Sequence, residues 1–281
     1  GKEYLNVLDF IGNYEKAGKA PLLLSGEQSF NKKGSCEYQD LEYPDDCIVD
    51  FDMRLIDLFK EMDKKKLTLK MQIQQEYYRV KELLDGKWPS RMDLFTYMDD
   101  EIYRICVSGS HAKENPFQHY LDFLYGLGEL SEDEQKLYAG IGREFIQTIE
   151  TTEMQKVYKM PILYSFYNHG NIRLAVTDEE VLESWKEFFD TGTNWKDFPN
   201  VNTYEDYKKV TDKQHLSKAK RMPIRFLKAS GKGFFVEKDG YALALRDEIG
   251  DVVGNVAFAE QMGDVLEYRS LEYYRRRYEK E

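Results

Sequence analysis

The sequence predicts a mainly α-helical fold with a small amount of β-structure. Apolar residues recur at spacings of three and four through most of the chain after residue 50, which is the period of amphipathic helices. Capping boxes, in which Ser or Thr precedes Glu by three residues, predict helix starts at Ser131 and Thr177. Two short apolar runs flank Asp239-Gly240, a dipeptide that favours a tight hairpin turn. We therefore expect a multi-helix body with one small β-hairpin near the C-terminus.

A short strand is expected at the N-terminus. The chain begins, from its third residue, with EYLNVLDFIGNY, in which apolar residues are nearly continuous over residues 5–11. Such runs are typical of strands that are buried on both faces of a sheet. Residues 21–50 lack periodicity and contain many turn formers, which indicates a connecting region with a short strand, at best, at residues 47–51.

The first helices are predicted between residue 52 and the turn at Gly86. DMRLIDLFKEMDKKK starts a helix, and LTLKMQIQQEYYRVKELLDG places apolar residues on one face of the next one. Gly86 suits the C-cap of that helix. Pro89 and Ser90 then predict a new helix start, and a pair of helices joined by a short turn is more often a plain packing unit than a DNA-reading one.

The later helices have equally clear boundaries. Helices are predicted after Ser131 and after Thr177. A further helix is predicted around Pro161, which either lies in its first turn or kinks it. SKAKRMPIRFLKAS predicts a short basic helix, or two helices broken at Pro223. The stretch NVAFAEQMGDVLEYRSLEYYRRRYEK, residues 255–280, predicts a long final helix.

The charge balance is uneven along the chain. The net charge of −11 argues against a protein that coats nucleic acids generally, because such proteins are basic overall. Residues 204–238 nevertheless contain ten Lys or Arg residues against four acidic ones. Three consecutive arginines at 275–277 form a second basic cluster. A positive segment in an acidic chain indicates a local anion-binding surface.

Motifs for catalysis or for metal binding are missing from the sequence. There is no P-loop, no G-x-S-x-G elbow, no C-x-x-C pair and no zinc-ligand spacing, so we predict no catalytic residue, no metal and no cofactor. The acidic residues at 45–52 fit a solvated turn better than a divalent-ion nuclease site. Three cysteines cannot all pair, which favours reduced thiols in a cytoplasmic protein. No apolar run reaches about 18 residues, so no membrane span is expected.

The basic segment provides the candidate site. Cations that follow a backbone and aromatic rings that stack on bases are typical of surfaces for single-stranded nucleic acids. The alternative is that the aromatic residues of this segment are core and that the lysines only solvate them. The predicted phosphate contacts are Lys218, Lys220, Arg221, Arg225, Lys228 and Lys232. Four of these fall at i, i+3, i+7 and i+10, which is a single stripe on an α-helix. Tyr158 and Lys159 are weaker candidates.

Several stretches resemble one helicase family. These are KEYLNVLDFIGNYEKA, PSRMDLFTYMDDEIYR, ETTEMQKVYKMPILYSFYN, GNIRLAVTDEEVLESWKEFF, MPIRFLKASGKGFF and YYRRRY. They are similar to the C-terminal extension of bacterial superfamily II DEAD/DEAH-box helicases, and the resemblance covers nearly the whole chain. It implies that residues 1–20 end the second RecA-like lobe, that residues 21–50 connect, and that residues 51–281 form a helical accessory domain, either as one body or as two halves meeting near residue 150.

The resemblance also implies a function. The chain would be a non-catalytic accessory domain of an ATP-dependent DNA helicase of the repair or restriction type, and it would hold DNA or RNA or brace the RecA-like motor lobes. ATP and Mg²⁺ would belong to the motor, whose catalytic residues have no counterpart among these residues. The alternative is a protein-interaction or structural module that does not bind nucleic acid, for which the abundant tyrosines are equally suited.

Overall fold

The computed structural model describes residues 67–278, and these residues are mainly helical with a small antiparallel sheet, as predicted. The expected strand at residues 4–11, the connecting region, the acidic residues at 45–52 and the helix after residue 52 lie outside the described residues. The chain divides into two compact units, Gly1–Gln72 and Ile73–Glu281. The domain boundaries predicted at residues 20 and 50 and near residue 150 stay predictions.

The helices of the described residues follow one another through short connections. In chain order they are α1 (Leu69–Leu83), α2 (Arg91–Tyr97), α3 (Asp100–Val107), α4 (Tyr120–Leu127), α5 (Glu132–Ala139), α6 (Ile141–Thr151), α7 (Lys159–Tyr167), α8 (Asp178–Asp190), α9 (Tyr204–Lys208), α10 (Asp212–Ala219), α11 (Arg225–Ser230) and α12 (Val256–Tyr278). Within this range, no helix combines the length and the apolar content that crossing a bilayer requires.

Local side-chain caps determine where many of these helices begin. A capping box satisfies backbone N–H groups that the first turn of a helix leaves without partners. The boxes pair Ser90 with Asp93, Ser131 with Glu134, Thr177 with Glu180 and Thr211 with Gln214. The starts predicted at Ser131 and Thr177 are therefore confirmed. Pro161 lies in the first turn of α7, where its missing N–H costs no hydrogen bond.

Two of the predicted helices are interrupted. The apolar pattern after Ser90 continues to Val107, but the Asp99 carboxylate accepts hydrogen bonds from the backbone N–H groups of Glu101 and Ile102 and starts α3 as a separate helix. The segment after Ser131 breaks at Gly140, which has extended backbone between α5 and α6. In both places local backbone chemistry prevails over a continuous periodicity.

The small sheet has one strand more than the sequence predicts. The hairpin is present as β2 (Phe235–Val236) and β3 (Leu243–Leu245), with Gly240 in the left-handed region at its tip. A third strand, β1 (Ala175–Val176), pairs antiparallel with β3, so that the strand order is β1-β3-β2. Two residues are too short a segment for alternation to show in a sequence.

The core contains a charged group as well as aromatic rings. The Arg91 side chain is fully buried at the start of α2, and its guanidinium donates to Glu150 at 2.5 Å, to Gln261 at 2.6 Å and to Asp264 at 2.9 Å. Asp264 also accepts the backbone N–H groups of Arg91 and Met92. This network joins the N-terminus of α2 to α6 and to α12.

Candidate nucleic-acid interface

The predicted basic helix is a continuous helical segment over residues 212–230. Thr211 caps α10, and a π-helical turn at Lys220–Ile224 joins α10 to α11 without a break. Pro223 lies inside that turn, where the wider i→i+5 geometry accommodates a residue without an N–H group. The expected stripe assumes one regular α-helix, whereas the π-turn, with its wider i→i+5 geometry, lies across the middle of the stripe.

Two of the predicted phosphate contacts are neutralised by carboxylates. The Lys220 ammonium lies 2.6 Å from Asp178 at the start of α8. Lys228 donates to Glu237 beside β2, and this hydrogen bond lowers the pKa of the Glu237 carboxyl. Each pair reduces the positive potential that a phosphate would experience, so these two lysines contribute less to a basic surface than their sequence positions indicate.

Lys218 and Arg221 lie in a cluster of like charges. The Lys218 ammonium lies 5.0 Å from the centre of the buried Tyr158 ring. Burial lowers the pKa of Lys218, and the nearby charges of Arg221 and Lys156 lower it further. Burial, the larger cause, disfavours the charged ammonium, and the two like charges act in the same direction. We define the basic face by Lys156, Lys218, Arg221 and Arg225.

The remaining predicted contacts are exposed. No ion pair joins Arg221, Arg225 or Lys232 to a carboxylate of the described residues, and all three side chains are exposed. The Arg225 guanidinium lies 5.2 Å from the centre of the Phe226 ring, which is 40% exposed. Lys232 lies in a turn with positive φ before the hairpin. The structure thus presents one guanidinium, that of Arg225, next to an accessible aromatic ring and without a carboxylate partner among the described residues.

Lys156 is a member of the basic face that no sequence pattern indicates. It precedes α7, some 60 residues before Lys218, and only the packing of α7 against the π-turn brings the two together. Its ammonium also pairs with Asp197 at 2.9 Å, so it is the one member of the face with a carboxylate partner among the described residues. Lys159, a weaker candidate, bonds to Thr152 at 2.9 Å and to Ser230 at 3.4 Å.

Most aromatic residues of the basic segment belong to the core. Tyr207, Phe234 and Phe235 are buried, as the alternative interpretation of the segment expects. Tyr204 and Phe226 are 38% and 40% exposed, and the Lys208 ammonium lies over the Tyr204 ring at 5.1 Å. Only these two rings of the segment's five are available for stacking.

The described residues contain no evident catalytic constellation. Burial raises the pKa of the Cys106 thiol to about 12, so this thiol is not a nucleophile at neutral pH. No group of three or more His, Cys, Asp or Glu residues between residues 67 and 278 is arranged to hold a metal ion.

No protein-family model, no curated protein and no solved structure matches this chain.

His215 makes the stability of the basic segment depend on pH. Burial lowers the pKa of its imidazole below the ordinary 6.5, and the Lys186 charge adds to this. At pH values between the folded-state pKa and 6.5, the unfolded chain binds a proton that the folded chain does not bind. The contribution of His215 to the free energy of unfolding is therefore complete above pH 6.5 and decreases as the pH falls. We expect His215→Phe to unfold with a shallower pH dependence than the wild type below pH 6.5, measured by urea denaturation.

The matched control is His169→Gln, because the His169 side chain is 76% exposed. Its free energy of unfolding at neutral pH should lie within about 0.5 kcal/mol of that of the wild type. Identical pH profiles for His215→Phe and the wild type would show that the buried imidazole titrates normally.

Proposed function

We propose that this chain is a non-catalytic accessory domain of an ATP-dependent DNA helicase and that it contacts nucleic acid through the basic face. The motor, with its ATP and Mg²⁺, belongs to the same cytoplasmic enzyme in this proposal. The proposal rests on the family resemblance of the sequence and on one observation: the guanidinium groups of Arg221 and Arg225 are exposed and pair with no carboxylate within residues 67–278. The binding of DNA rather than RNA follows from the resemblance alone.

The electrostatics of the basic face support phosphate binding. The chain is acidic overall, with 51 Asp or Glu residues against 40 Lys or Arg residues. Arg221 and Arg225 lie about one helical turn apart and make no ion pair with a carboxylate of the described residues. Guanidinium groups bind phosphate oxygens in a bidentate manner, and the accessible Phe226 ring beside Arg225 offers a face on which a base would stack.

The test is a charge-reversal variant, Arg221→Glu together with Arg225→Glu. We expect it to bind single-stranded and forked DNA at least about tenfold more weakly than the wild type, because each phosphate that is no longer neutralised removes a counterion-release contribution. Fluorescence anisotropy with labelled oligonucleotides at several salt concentrations measures this. The slope of log affinity against log salt should become shallower by about 0.7–0.9 for each phosphate that the variant no longer binds.

The matched control reverses two lysines elsewhere. Lys87→Glu together with Lys113→Glu changes the net charge equally, and both side chains are exposed outside the basic face. This control should retain most of the affinity. Equal losses of affinity in the two variants would mean that binding follows net charge alone, and unchanged affinity in Arg221→Glu/Arg225→Glu would favour the protein-interaction alternative.

A further inference from the structure

A cavity separate from the basic face opens between α7, α8 and α12. Its volume is about 470 Å³, which lies within the range of about 300–1,000 Å³ for small-molecule sites. Aromatic rings and carboxylates share the lining. Its lining includes the aromatic residues Tyr164, Tyr167 and Phe188 and the acidic residues Glu183, Glu187 and Glu267.

The lining has more negative than positive charge. The Arg173 guanidinium pairs with Glu180 at 3.2 Å and neutralises that carboxylate. Glu187 lies 3.6 Å from the imidazole of His169, a pair that is exposed on both sides. Glu183 and Glu267 line the cavity with exposed side chains, and neither forms an ion pair with a cation of the described residues. A bound ammonium group would replace the water that hydrates these two carboxylates and pair with them directly.

The carboxylates border an apolar wall. The Tyr164 ring lies 6.0 Å from Phe188 and 6.2 Å from Tyr167, centre to centre. Tyr164 and Glu267 belong to the same lining. Burial raises the pKa of the Tyr164 phenol, a hydrogen bond with Ser270 lowers it, and the Glu267 carboxylate raises it. Aromatic faces and carboxylates together attract organic cations that carry an apolar chain.

The position of the Tyr167 ring depends on a glycine in α12. A Cβ atom at Gly263 would lie 2.5 Å from the Tyr167 hydroxyl oxygen, so the ring can occupy this position only because residue 263 has no side chain. Tyr167 is followed by Asn168 and His169, both with positive φ, which turn the chain at the rim of the cavity. The wall is thus held from two elements.

We propose that this cavity binds an alkylammonium ligand, whose chain lies against Tyr164 and Phe188 and whose ammonium groups pair with Glu183 and Glu267. A free polyamine and a lysine side chain of a partner peptide share this chemistry. A bare metal ion fits less well, because no three His, Cys, Asp or Glu side chains of the described residues converge on one point. This proposal does not depend on nucleic-acid binding.

The test is isothermal titration calorimetry of the full chain with spermidine, without nucleic acid and at about 150 mM salt, so that diffuse attraction is screened. We expect saturable binding that Glu183→Gln together with Glu267→Gln weakens about tenfold, because two charge-assisted hydrogen bonds to the ligand become neutral ones. The control, Glu82→Gln together with Glu114→Gln, changes the net charge equally at exposed positions outside the cavity. It should stay within about twofold of the wild type.

A second probe separates the two sources of the ligand. A short peptide with two lysines is titrated in the same way. If the peptide binds and spermidine does not, and if Glu183→Gln/Glu267→Gln abolishes peptide binding, the ligand is a lysine side chain of a partner. Circular dichroism confirms that each variant is folded. The proposal is overturned if neither probe binds saturably, or if the cavity variant and the control weaken binding equally.

Discussion

Replacing Arg91 by Leu is expected to lower the free energy of unfolding by about 3–5 kcal/mol, because removing one partner leaves the others as buried, uncompensated charges. The side chains of Glu150 and Asp264 are 2% and 13% exposed, so water cannot take over the role of the guanidinium. The ring of Tyr120 lies 4.5 Å from the guanidinium carbon, and the substitution removes this cation–π interaction as well. Urea denaturation monitored by circular dichroism measures the change.

Arg276→Leu is the control for this prediction. Arg276 lies on α12 with 65% of its side chain exposed and 3.7 Å from Glu272, so its replacement should cost less than about 1 kcal/mol. The double variant Arg91→Met/Glu150→Leu should be less destabilised than the sum of its single variants, because the two charges disappear together. If Arg91→Leu and Arg276→Leu had similar free energies of unfolding, the buried network around Arg91 would not stabilise the fold.

Asp197→Ala is expected to cost about 2–4 kcal/mol, because its carboxylate is a shared acceptor for groups that then lack partners. The carboxylate is fully buried and binds the Tyr273 hydroxyl at 2.8 Å, Lys156 at 2.9 Å and Arg277 at 3.1 Å. Lys156 and Arg277 are about 41% exposed and can turn to water, whereas the Tyr273 hydroxyl is buried. The destabilisation should therefore come mainly from the end of α12. Thermal and urea denaturation measure it.

Asp190→Ala is the corresponding control. Its carboxylate is 35% exposed and pairs with Lys208 at 2.8 Å, an arrangement that contributes less than about 1 kcal/mol at a surface. If Asp197→Ala is no less stable than Asp190→Ala, the buried carboxylate does not hold α12 in the way that the distances indicate.

The fold could be predicted wherever the information is local. Capping boxes at Ser131 and Thr177, the Asp-Gly turn and the periodicity of α12 act within a few residues, and the structure has each of these features. Asp99 is harder to recognise in the sequence as a helix start, because its carboxylate can cap α3 only after the backbone has turned at the end of α2.

The networks that hold the helices together could not be predicted from the sequence. The partners of Arg91 lie 59, 170 and 173 residues away, and nothing near Arg91 marks it as buried. The same limit applies to the candidate site. The sequence identified the basic segment and its cations, but tertiary packing decides that Lys220 and Lys228 meet carboxylates and that Lys156 joins Lys218.

The salt dependence of binding by the wild-type chain tests whether nucleic acid contacts the basic face through its phosphates. Fluorescence anisotropy with single-stranded and forked DNA should show binding at about 50 mM salt that weakens as salt rises, with a log–log slope of at least about 1.4, the value for two phosphate contacts. Absence of binding at about 50 mM salt, or binding that salt does not weaken, would rule out phosphate contacts by the basic face.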